Sequence, residues 1–311
     1  MKHEIKLAVR YARRAVELGS CISLRYEKER YTPYSTLKGE WYCPADMQFS
    51  EILSVMLNID GETVHCGMPD GLEVERRDNR NVLKVSSKGY SSALLTNQCA
   101  DKLLTDVDLG AIAASGPTLP YVSYEPNTPK VNYVNYYDGT SCWDAIVCYA
   151  IRATGVYPYV RGSGEVCISR APAVGSCSTD TGRLIFRGYA SDYSDLVSEI
   201  SEDDIEGTPS AYVMSDGRIT ARGIVRCRRI KFDRDWIMDP EKGLEFKLCS
   251  SMRGMSCDTF GFLGYSGLDL LDRFSVADIG FSGEVDRLTV TASAEKGIVT
   301  EIGCYHDGFC T

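Results

Sequence analysis

Cys304, His306 and Asp307 carry the side-chain types of a cysteine hydrolase: a thiol nucleophile, a base and a carboxylate. Such a thiol is activated by a base that a separate structural element holds at hydrogen-bonding distance. Residues two apart in a strand share one face of a sheet, but that spacing does not orient an imidazole toward the sulfur. We therefore predict that these residues are not catalytic and that the chain is not an enzyme.

Paired carboxylates suggest glycosidase chemistry, in which two acids face each other across a cleft. Asp269 with Asp272, and Glu73 with Glu75, supply the side chains. Their spacing does not place either pair across a cleft at the roughly 5–10 Å that the mechanism needs. We expect these residues to be surface charge.

Two loops resemble ligand sites only in composition. Residues 201–206 (SEDDIE) are acidic but lack the glycine-hinged alternation of a calcium loop. Gly162-Ser163-Gly164 joins two predicted strands and is not followed by the Lys-Ser/Thr and helix of a phosphate loop. The sequence predicts no metal, no cofactor and no nucleotide site.

One stretch concentrates positive charge, in and after a predicted hairpin: Arg218, Arg222, Arg226, Arg228, Arg229 and Lys231. Alternation places Arg226 and Arg228 on one face and Arg229 and Lys231 on the other. The net charge of the chain is −9, and no aromatic residues interleave with the cluster, so specific nucleic-acid binding is not predicted. Solvated strand faces and contact with an acidic protein partner are the two remaining interpretations.

The cysteines number thirteen, which excludes complete internal pairing, and no two stand in a CxxC spacing. Only three histidines accompany them. We predict reduced, buried cysteines that pack as small apolar residues, with no Cys pair at bonding distance.

The length of 311 residues and the 44% hydrophobic content predict two or three globular domains. Lys and Arg interrupt the apolar positions of the first twenty residues, so no secretory signal is expected. No run approaches the roughly 20 apolar residues of a membrane anchor, and the apolar stretch 109–119, which contains Gly and Pro, looks like a loop.

Short apolar runs separated by turn residues predict a mainly β fold. In residues 51–85 the breaks fall at Asp60-Gly61, at Pro69-Asp70-Gly71 and at Asp78-Asn79, which is typical of a β-meander with one wet face. We predict a short helix after Gly89 that completes this β unit. The unit is predicted to span residues 1–106. Residues 179–311 resume the strand pattern, including residues 218–232 and GLEFKLC (243–249), with a hairpin turn at Asp216-Gly217 and a helical interruption over 259–274.

The region 107–178 contains the most legible helix, predicted over residues 141–154. Ser141 is the expected N-cap, Gly155 the expected end, and Trp143, Ile146, Val147, Ala150 and Ile151 form one apolar stripe. A hairpin over 156–170 turns at Gly162-Ser163-Gly164 and offers the surface on which that stripe packs. The prediction is a small α/β module between two β-rich segments.

The order of these elements resembles the baseplate hub proteins of phage tails and related contractile injection systems. The matching residues are Ser141, Trp143, Asp144, Gly155, Tyr157, Tyr159, Val160, Gly164 and Pro172, and the stretch LKVSSKGYSSALLTNQ is similar to the strand and helix that close the first barrel of these hubs. The resemblance implies two tube-like β-barrel domains flanking an α/β domain.

The same resemblance implies a homotrimer that joins a six-fold tail tube to a three-fold central spike. Its implied partners are the tube or tube-initiator protein, the spike, the tape measure protein and baseplate wedge proteins. The implied location is a virion or a phage-tail-like bacteriocin, assembled from protein made in the bacterial cytoplasm, with acidic side chains lining the channel. The alternatives from other classes are a cell-wall-degrading tail hydrolase and a carbohydrate-binding module.

Overall fold

The computed structural model describes residues 3–19, 21–99, 102–137, 139–170 and 175–306. The N-terminal part consists of antiparallel strands: β1 (Ile5–Arg10), β2 (Ala15–Leu18), β3 (Cys21–Glu29), β4 (Thr36–Cys43), β5 (Ser54–Ile59), β6 (Glu62–Arg77) and β7 (Arg80–Gly89). Positive φ values at Asp60-Gly61 and Asp78-Asn79 confirm the two predicted turns. The predicted turn at Pro69-Asp70-Gly71 is wrong. These residues lie inside β6, where the register with β7 shifts, because a bulge accommodates a proline that cannot donate to the ladder.

The middle part contains short strands and three helices: α1 (Ala93–Thr96), β8 (Lys102–Val107), α2 (Leu109–Ser115), β9 (Ser123–Tyr124), β10 (Val131–Tyr136), α3 (Cys142–Thr154), β11 (Tyr159–Arg161) and β12 (Glu165–Cys167). The predicted loop at 109–119 begins with α2, because the Asp108 side chain accepts a hydrogen bond from the Ala111 N–H at 2.8 Å and caps the helix. β8 pairs with β10 in a two-stranded sheet apart from the N-terminal strands.

The helix α3 confirms the prediction made from its caps. Ser141 Oγ accepts from the Asp144 N–H at 3.0 Å, and Gly155 ends the helix with φ of 73°. Residues 145–151 are all buried, so packing surrounds the helix more completely than one stripe predicts. The Trp143 indole donates to the Tyr157 hydroxyl at 3.2 Å, which ties the helix to the β11–β12 hairpin.

The C-terminal part continues with further elements: β13 (Ser176–Thr179), β14 (Leu184–Ser191), β15 (Glu199–Glu202), β16 (Tyr212–Ser215), α4 (Gly217–Ala221), β17 (Cys227–Ile230), α5 (Pro240–Ser250), β18 (Ser256–Leu263), β19 (Arg273–Val276), β20 (Phe281–Glu284), β21 (Arg287–Ser293) and β22 (Gly297–Tyr305). Between β14 and β18 the chain forms a separate three-stranded sheet, β16-β15-β17, covered by α5. We call residues 196–252 the inserted module.

Three predictions for this part are wrong. GLEFKLC forms α5, because Pro240 starts a helix and Leu244 and Leu248, four residues apart, pack on the core of the inserted module. The predicted hairpin turn at Asp216-Gly217 instead starts α4, with the Asp216 side chain as cap, so the strand predicted over 218–232 is confined to β17. The predicted helix over 259–274 is replaced by β18 and a loop, and Gly261 lies directly under the Phe186 ring.

An eleven-stranded sheet joins the two ends of the chain in the order β14-β18-β22-β21-β3-β4-β7-β6-β5-β1-β2. The two ends of the chain meet at the antiparallel pair β3–β21, where Leu24 lies opposite Ala292. One hydrophobic core, from Leu7 to Cys304, covers its inner face. The mainly β fold with a small helical part is therefore confirmed. Among the described residues no strand pairing closes this sheet into a barrel, and the division at 106 and 178 stays a prediction.

Candidate functional site

Cys304 and His306 differ in exposure, although Asp258, which binds His306, lies opposite Cys304 in the β18–β22 ladder. Cys304 on β22 is 2% exposed and faces the core, and burial raises the pKa of its thiol. His306 lies beyond the end of β22 and forms a hydrogen bond with Asp258 Oδ2 at 2.5 Å. A protonated thiol in an apolar core is not available as a nucleophile. Asp307 lies outside the described residues, and the absence of a catalytic role stays a prediction.

Asp269 and Asp272 are brought together with Gly162, the tip of the β11–β12 hairpin. Asp269 accepts from Lys28 Nζ at 2.7 Å and from the Gly162 N–H at 2.5 Å. Asp272 accepts from Arg161 Nη2 at 2.7 Å and from the Gly175 N–H at 3.0 Å. We call the pairs Lys28–Asp269 and Arg161–Asp272 the ionic junction.

The prediction that Asp269 and Asp272 are surface charge is wrong: the Asp272 side chain is 4% exposed and that of Asp269 is 22% exposed, because cations and backbone N–H groups bind both carboxylates inside the protein. The absence of a catalytic role for either carboxylate stays a prediction. Sequence reasoning missed Lys28, which is 3% exposed and donates also to the Gly162 carbonyl at 2.8 Å. The signal was available: Leu24, Tyr26 and Lys28 alternate on the inward face of β3, where an unpaired cation would be costly.

The acidic loop and the basic cluster meet within the inserted module. Arg229 Nε donates to Asp203 Oδ1 at 3.0 Å, and Arg226 Nη1 donates to the Tyr193 carbonyl at 2.7 Å. Glu202 is fully buried and accepts from the Asp233 N–H and from Lys247. Within the described ranges no group of three or more His, Cys, Asp or Glu side chains could hold a metal ion. Part of the positive charge of the basic cluster is therefore neutralised by the acidic loop, through the Arg229–Asp203 pair.

The free-thiol prediction holds for most described cysteines, but Cys249 is disulfide-bonded, so the prediction of no bonded cysteine is wrong there. Both α3 and α5 contain cysteines, and the helical periodicity of a sequence does not indicate which sulfur atoms will bond.

In the part of the chain that the structure describes, no helix is long and apolar enough to cross a membrane.

The outer surface of the large sheet is the most extended candidate site. Along each strand, the residues of this surface alternate with residues that face the core. One row across the strands consists of Ser23, Glu40, Lys84 and Glu73, each opposite the next. A groove of about 540 Å³ runs over this row. We call this surface the polar face; its charged members are Arg25, Glu27, Lys38, Glu40, Glu73, Glu75, Arg77, Lys84, Arg287 and Glu301.

Acidic and basic groups balance on the polar face. Glu75 pairs with Lys84 at 2.8 Å and with Arg77, and these partners lower the pKa of the Glu75 carboxyl. Arg77 also pairs with Glu40 at 3.1 Å, and Arg287 pairs with Glu301 at 3.3 Å. Glu73 and Glu75 are therefore surface charge, as predicted, and their partners make the face a mixed-charge surface.

The two edges of the large sheet, β14 and β2, have no strand beside them in the described chain. On β14 the side chains of Ile185 and Tyr189 are 51% and 62% exposed. An edge strand with exposed apolar side chains offers its backbone N–H and C=O groups to another strand.

Neither a family model nor a curated protein sequence matches the chain. Solved structures do match. The tail protein from Neisseria meningitidis MC58 gives a TM-score of 0.73 with 15% identity, over 99% of this chain and 98% of that chain. The 43 kDa tail protein of prophage MuSo2 from Shewanella oneidensis gives 0.71 with 12% identity, over 99% of both chains.

A component of the Escherichia coli type VI secretion system, described as similar to T4 bacteriophage tail proteins, gives a TM-score of 0.55 with 9% identity, over 96% of this chain and 76% of that chain. The match therefore extends through the large sheet, the α3 region and the inserted module together. These likenesses confirm at the level of the fold what the order of elements in the sequence suggested. The chain has the fold of phage tail proteins and of related type VI secretion components.

Proposed function

We propose that the chain is a structural tail or baseplate component, and more specifically a hub that joins a six-fold tail tube to a three-fold spike as a homotrimer. The observation that carries the proposal is the fold likeness to two tail proteins over 99% of the chain. The mixed-charge polar face and the open edges of the large sheet support it.

The proposed trimer has a physical reason. Each chain contributes two β-rich segments, one from each end, to the large sheet. Three chains then present six similar segments toward a six-fold tube and three equivalent surfaces toward a spike. The partners that follow are the tube or tube-initiator protein, the spike, the tape measure protein and baseplate wedge proteins, in a virion or a phage-tail-like particle.

The edges β14 and β2 are the proposed contact between copies. Pairing of the β14 edge with a neighbouring chain would satisfy its free backbone groups and cover Ile185 and Tyr189. The polar face would then line the channel. The acidic residues of the polar face are ion-paired, so the channel lining would carry balanced charge and not the net negative charge that was predicted. Such a lining still offers a passing polyanion no concentrated positive charge.

The test is the solution mass of the full chain, alone and with its neighbouring tail proteins, followed by a particle reconstruction. We expect three equivalent chains. The double variant Ile185→Asp/Tyr189→Asp should remain folded and lose assembly, because charge on an edge strand opposes pairing. Val213→Asp, at a residue of the inserted module that is 57% exposed, is the matched control and should assemble normally. Six equivalent chains in the particle would overturn the trimer.

A further inference from the structure

Two buried thiols meet where the chain passes from the large sheet to α3. Cys99 Sγ and Cys142 Sγ lie 3.6 Å apart, and the two residues are 4% and 5% exposed. Cys142 is the first residue of α3, and Cys99 follows α1 after a short connection. The contact between the two sulfurs therefore brings together residues that are 43 positions apart in sequence.

A backbone bridge holds the two cysteine segments together, and the thiols meet diagonally across it, since Cys99 lies opposite Thr140 and Cys142 opposite Asn97. Gln98 and Ser141 form an isolated antiparallel bridge, with the Cys99 N–H donating to the Thr140 carbonyl at 2.9 Å and the Cys142 N–H donating to the Asn97 carbonyl at 2.8 Å. Gly116 at the end of α2 closes the site, because an added Cβ there would lie 3.1 Å from Cys142 Sγ. Cys148, on the same helix, directs its thiol to the Asp235 carbonyl instead.

The remaining movement is small. A disulfide has an S–S length of about 2.05 Å, so the sulfurs need to approach each other by about 1.5 Å. Since the cysteines are diagonal across the bridge, bond formation requires a shift of the 97–99 segment, which two hydrogen bonds attach, as well as rotation of the two side chains. Packing alone does not require two sulfurs to face each other.

We propose that Cys99 and Cys142 are an oxidisable dithiol, a covalent modification site at which a disulfide forms between the exit of the large sheet and the start of α3. With a low-molecular-weight disulfide such as oxidised glutathione as oxidant, one cysteine thiolate attacks a glutathione sulfur and releases one reduced glutathione. The second cysteine then attacks the mixed disulfide and releases the second. Two protein thiols are oxidised, two electrons reduce the glutathione disulfide, and the two thiol protons leave with the two glutathiones.

Burial sets the rate of this reaction. The pKa of the Cys142 thiol is raised to about 12 by desolvation and by the neighbouring Cys99. Since the thiolate is the attacking species, the reaction is slow at neutral pH and accelerates as pH rises.

The disulfide would close a loop of the chain that contains β8, α2 and β10. Cross-linking residues this far apart restricts the unfolded chain, so we expect Tm to rise by roughly 5–10 °C, reversibly on addition of dithiothreitol.

The experiment incubates the folded full-length chain with oxidised glutathione at pH 7 and pH 9 and maps peptides under non-reducing conditions by mass spectrometry. We expect a Cys99–Cys142 linked peptide that forms at least tenfold faster at pH 9, together with the rise in Tm. Cys142→Ser should abolish the link and the rise in Tm, while Cys148→Ser, at another buried cysteine of α3, should retain both.

The peptide map of the unchanged chain decides the question even if a serine variant does not fold. A map that shows only a glutathione adduct on one of the two cysteines, or a link that forms only in denaturant, would overturn the proposal.

Discussion

The polar face and the ionic junction contain the same kinds of ion pair in different surroundings. On the polar face, Lys84 and Glu73 are 31% and 67% exposed. In the ionic junction, the side chains of Lys28 and Asp269 are 2% and 22% exposed, and those of Arg161 and Asp272 are 15% and 4% exposed. Water screens the first set, so each exposed pair contributes little to stability, whereas a buried charge that loses its partner is left in a medium that solvates it poorly.

The difference assigns the two regions different tasks. The ionic junction fixes the β11–β12 hairpin against the segment that precedes β19, because Gly162 and Arg161 are held by carboxylates more than 100 residues away in sequence. The polar face keeps a broad, hydrated surface free of concentrated charge. Mutations should therefore have large effects in the ionic junction and small ones on the polar face.

The largest expected effect is that of Asp272→Ala. The change leaves the partly buried Arg161 guanidinium and the Gly175 N–H without their acceptor, so we expect a loss of about 3–5 kcal/mol in the free energy of unfolding. Denaturant unfolding followed by circular dichroism measures it. Asp272→Asn, which keeps one acceptor oxygen, should lose less. Equal stability of Asp272→Ala and the unchanged chain would show that water replaces the carboxylate.

Lys28→Met should cost less, about 1–3 kcal/mol. Asp269 is 22% exposed and keeps hydrogen bonds from the Gly162 and Leu270 N–H groups, so it remains partly solvated after the ammonium group is removed. The same denaturant titration measures the loss. Lys38→Met on the polar face is the matched control and should leave Tm unchanged; a similar loss in both variants would contradict the distinction between the two regions.

His65 is a buried titratable residue that, unlike the residues of the ionic junction, forms its hydrogen bonds with serines and not with a carboxylate. It lies between Ser35 Oγ at 2.8 Å and Ser87 Oγ at 3.0 Å, and burial, with Lys28 nearby, lowers its pKa from 6.5 to about 3. Between these two values the unfolded chain binds the extra proton, so stability falls as pH falls below about 6.5, by roughly 1.4 kcal/mol per pH unit.

His65→Gln measures this contribution, because glutamine can bond to both serines and does not titrate. We expect the difference in unfolding free energy between the unchanged chain and His65→Gln to change steadily from pH 6.5 to pH 4.5, to the disadvantage of the histidine. Parallel pH profiles for the two chains would show that His65 is protonated in the folded state.

The smallest effect is expected for Lys84→Ala on the polar face. Its partners Glu73 and Glu75 are solvated, and Arg77 continues to pair with Glu75. We expect an unchanged Tm at 0.15 M salt by differential scanning fluorimetry. A drop in Tm as large as that of Lys28→Met would show that Lys84 and its partners are shielded from solvent, in contradiction to the exposed polar face.

The alternation of a strand and that of a helix can be confused when the apolar residues fit both. In GLEFKLC, Leu244, Phe246 and Leu248 alternate as in a strand, and Leu244 and Leu248 also stand four apart as on one side of a helix. Packing decides between them: Leu244 and Leu248 cover Val197 and Ile200 in the inserted module, and Gly243 allows the Trp236 ring to lie against the helix.

The candidate site was predicted in its components and not in its arrangement. Glu73 and Glu75 were placed correctly on a wet face from alternation alone. Asp269, Asp272 and the hairpin at Gly162 were each noticed, but nothing local indicates that they meet, since the contacts join residues 107 to 111 positions apart.

The sequence by itself determined the features whose causes lie within a few residues: the caps of α3 at Ser141 and Gly155, the turns at Asp60-Gly61 and Asp78-Asn79, and the mainly β character. The tertiary structure decided which strands pair. The β3–β21 ladder joins Arg25 to Thr291 across almost the whole chain and turns two separate β-rich segments into one sheet. Caps and turns depend on local dihedral angles and hydrogen bonds, whereas strand pairing depends on the shape of a core to which residues from both ends contribute.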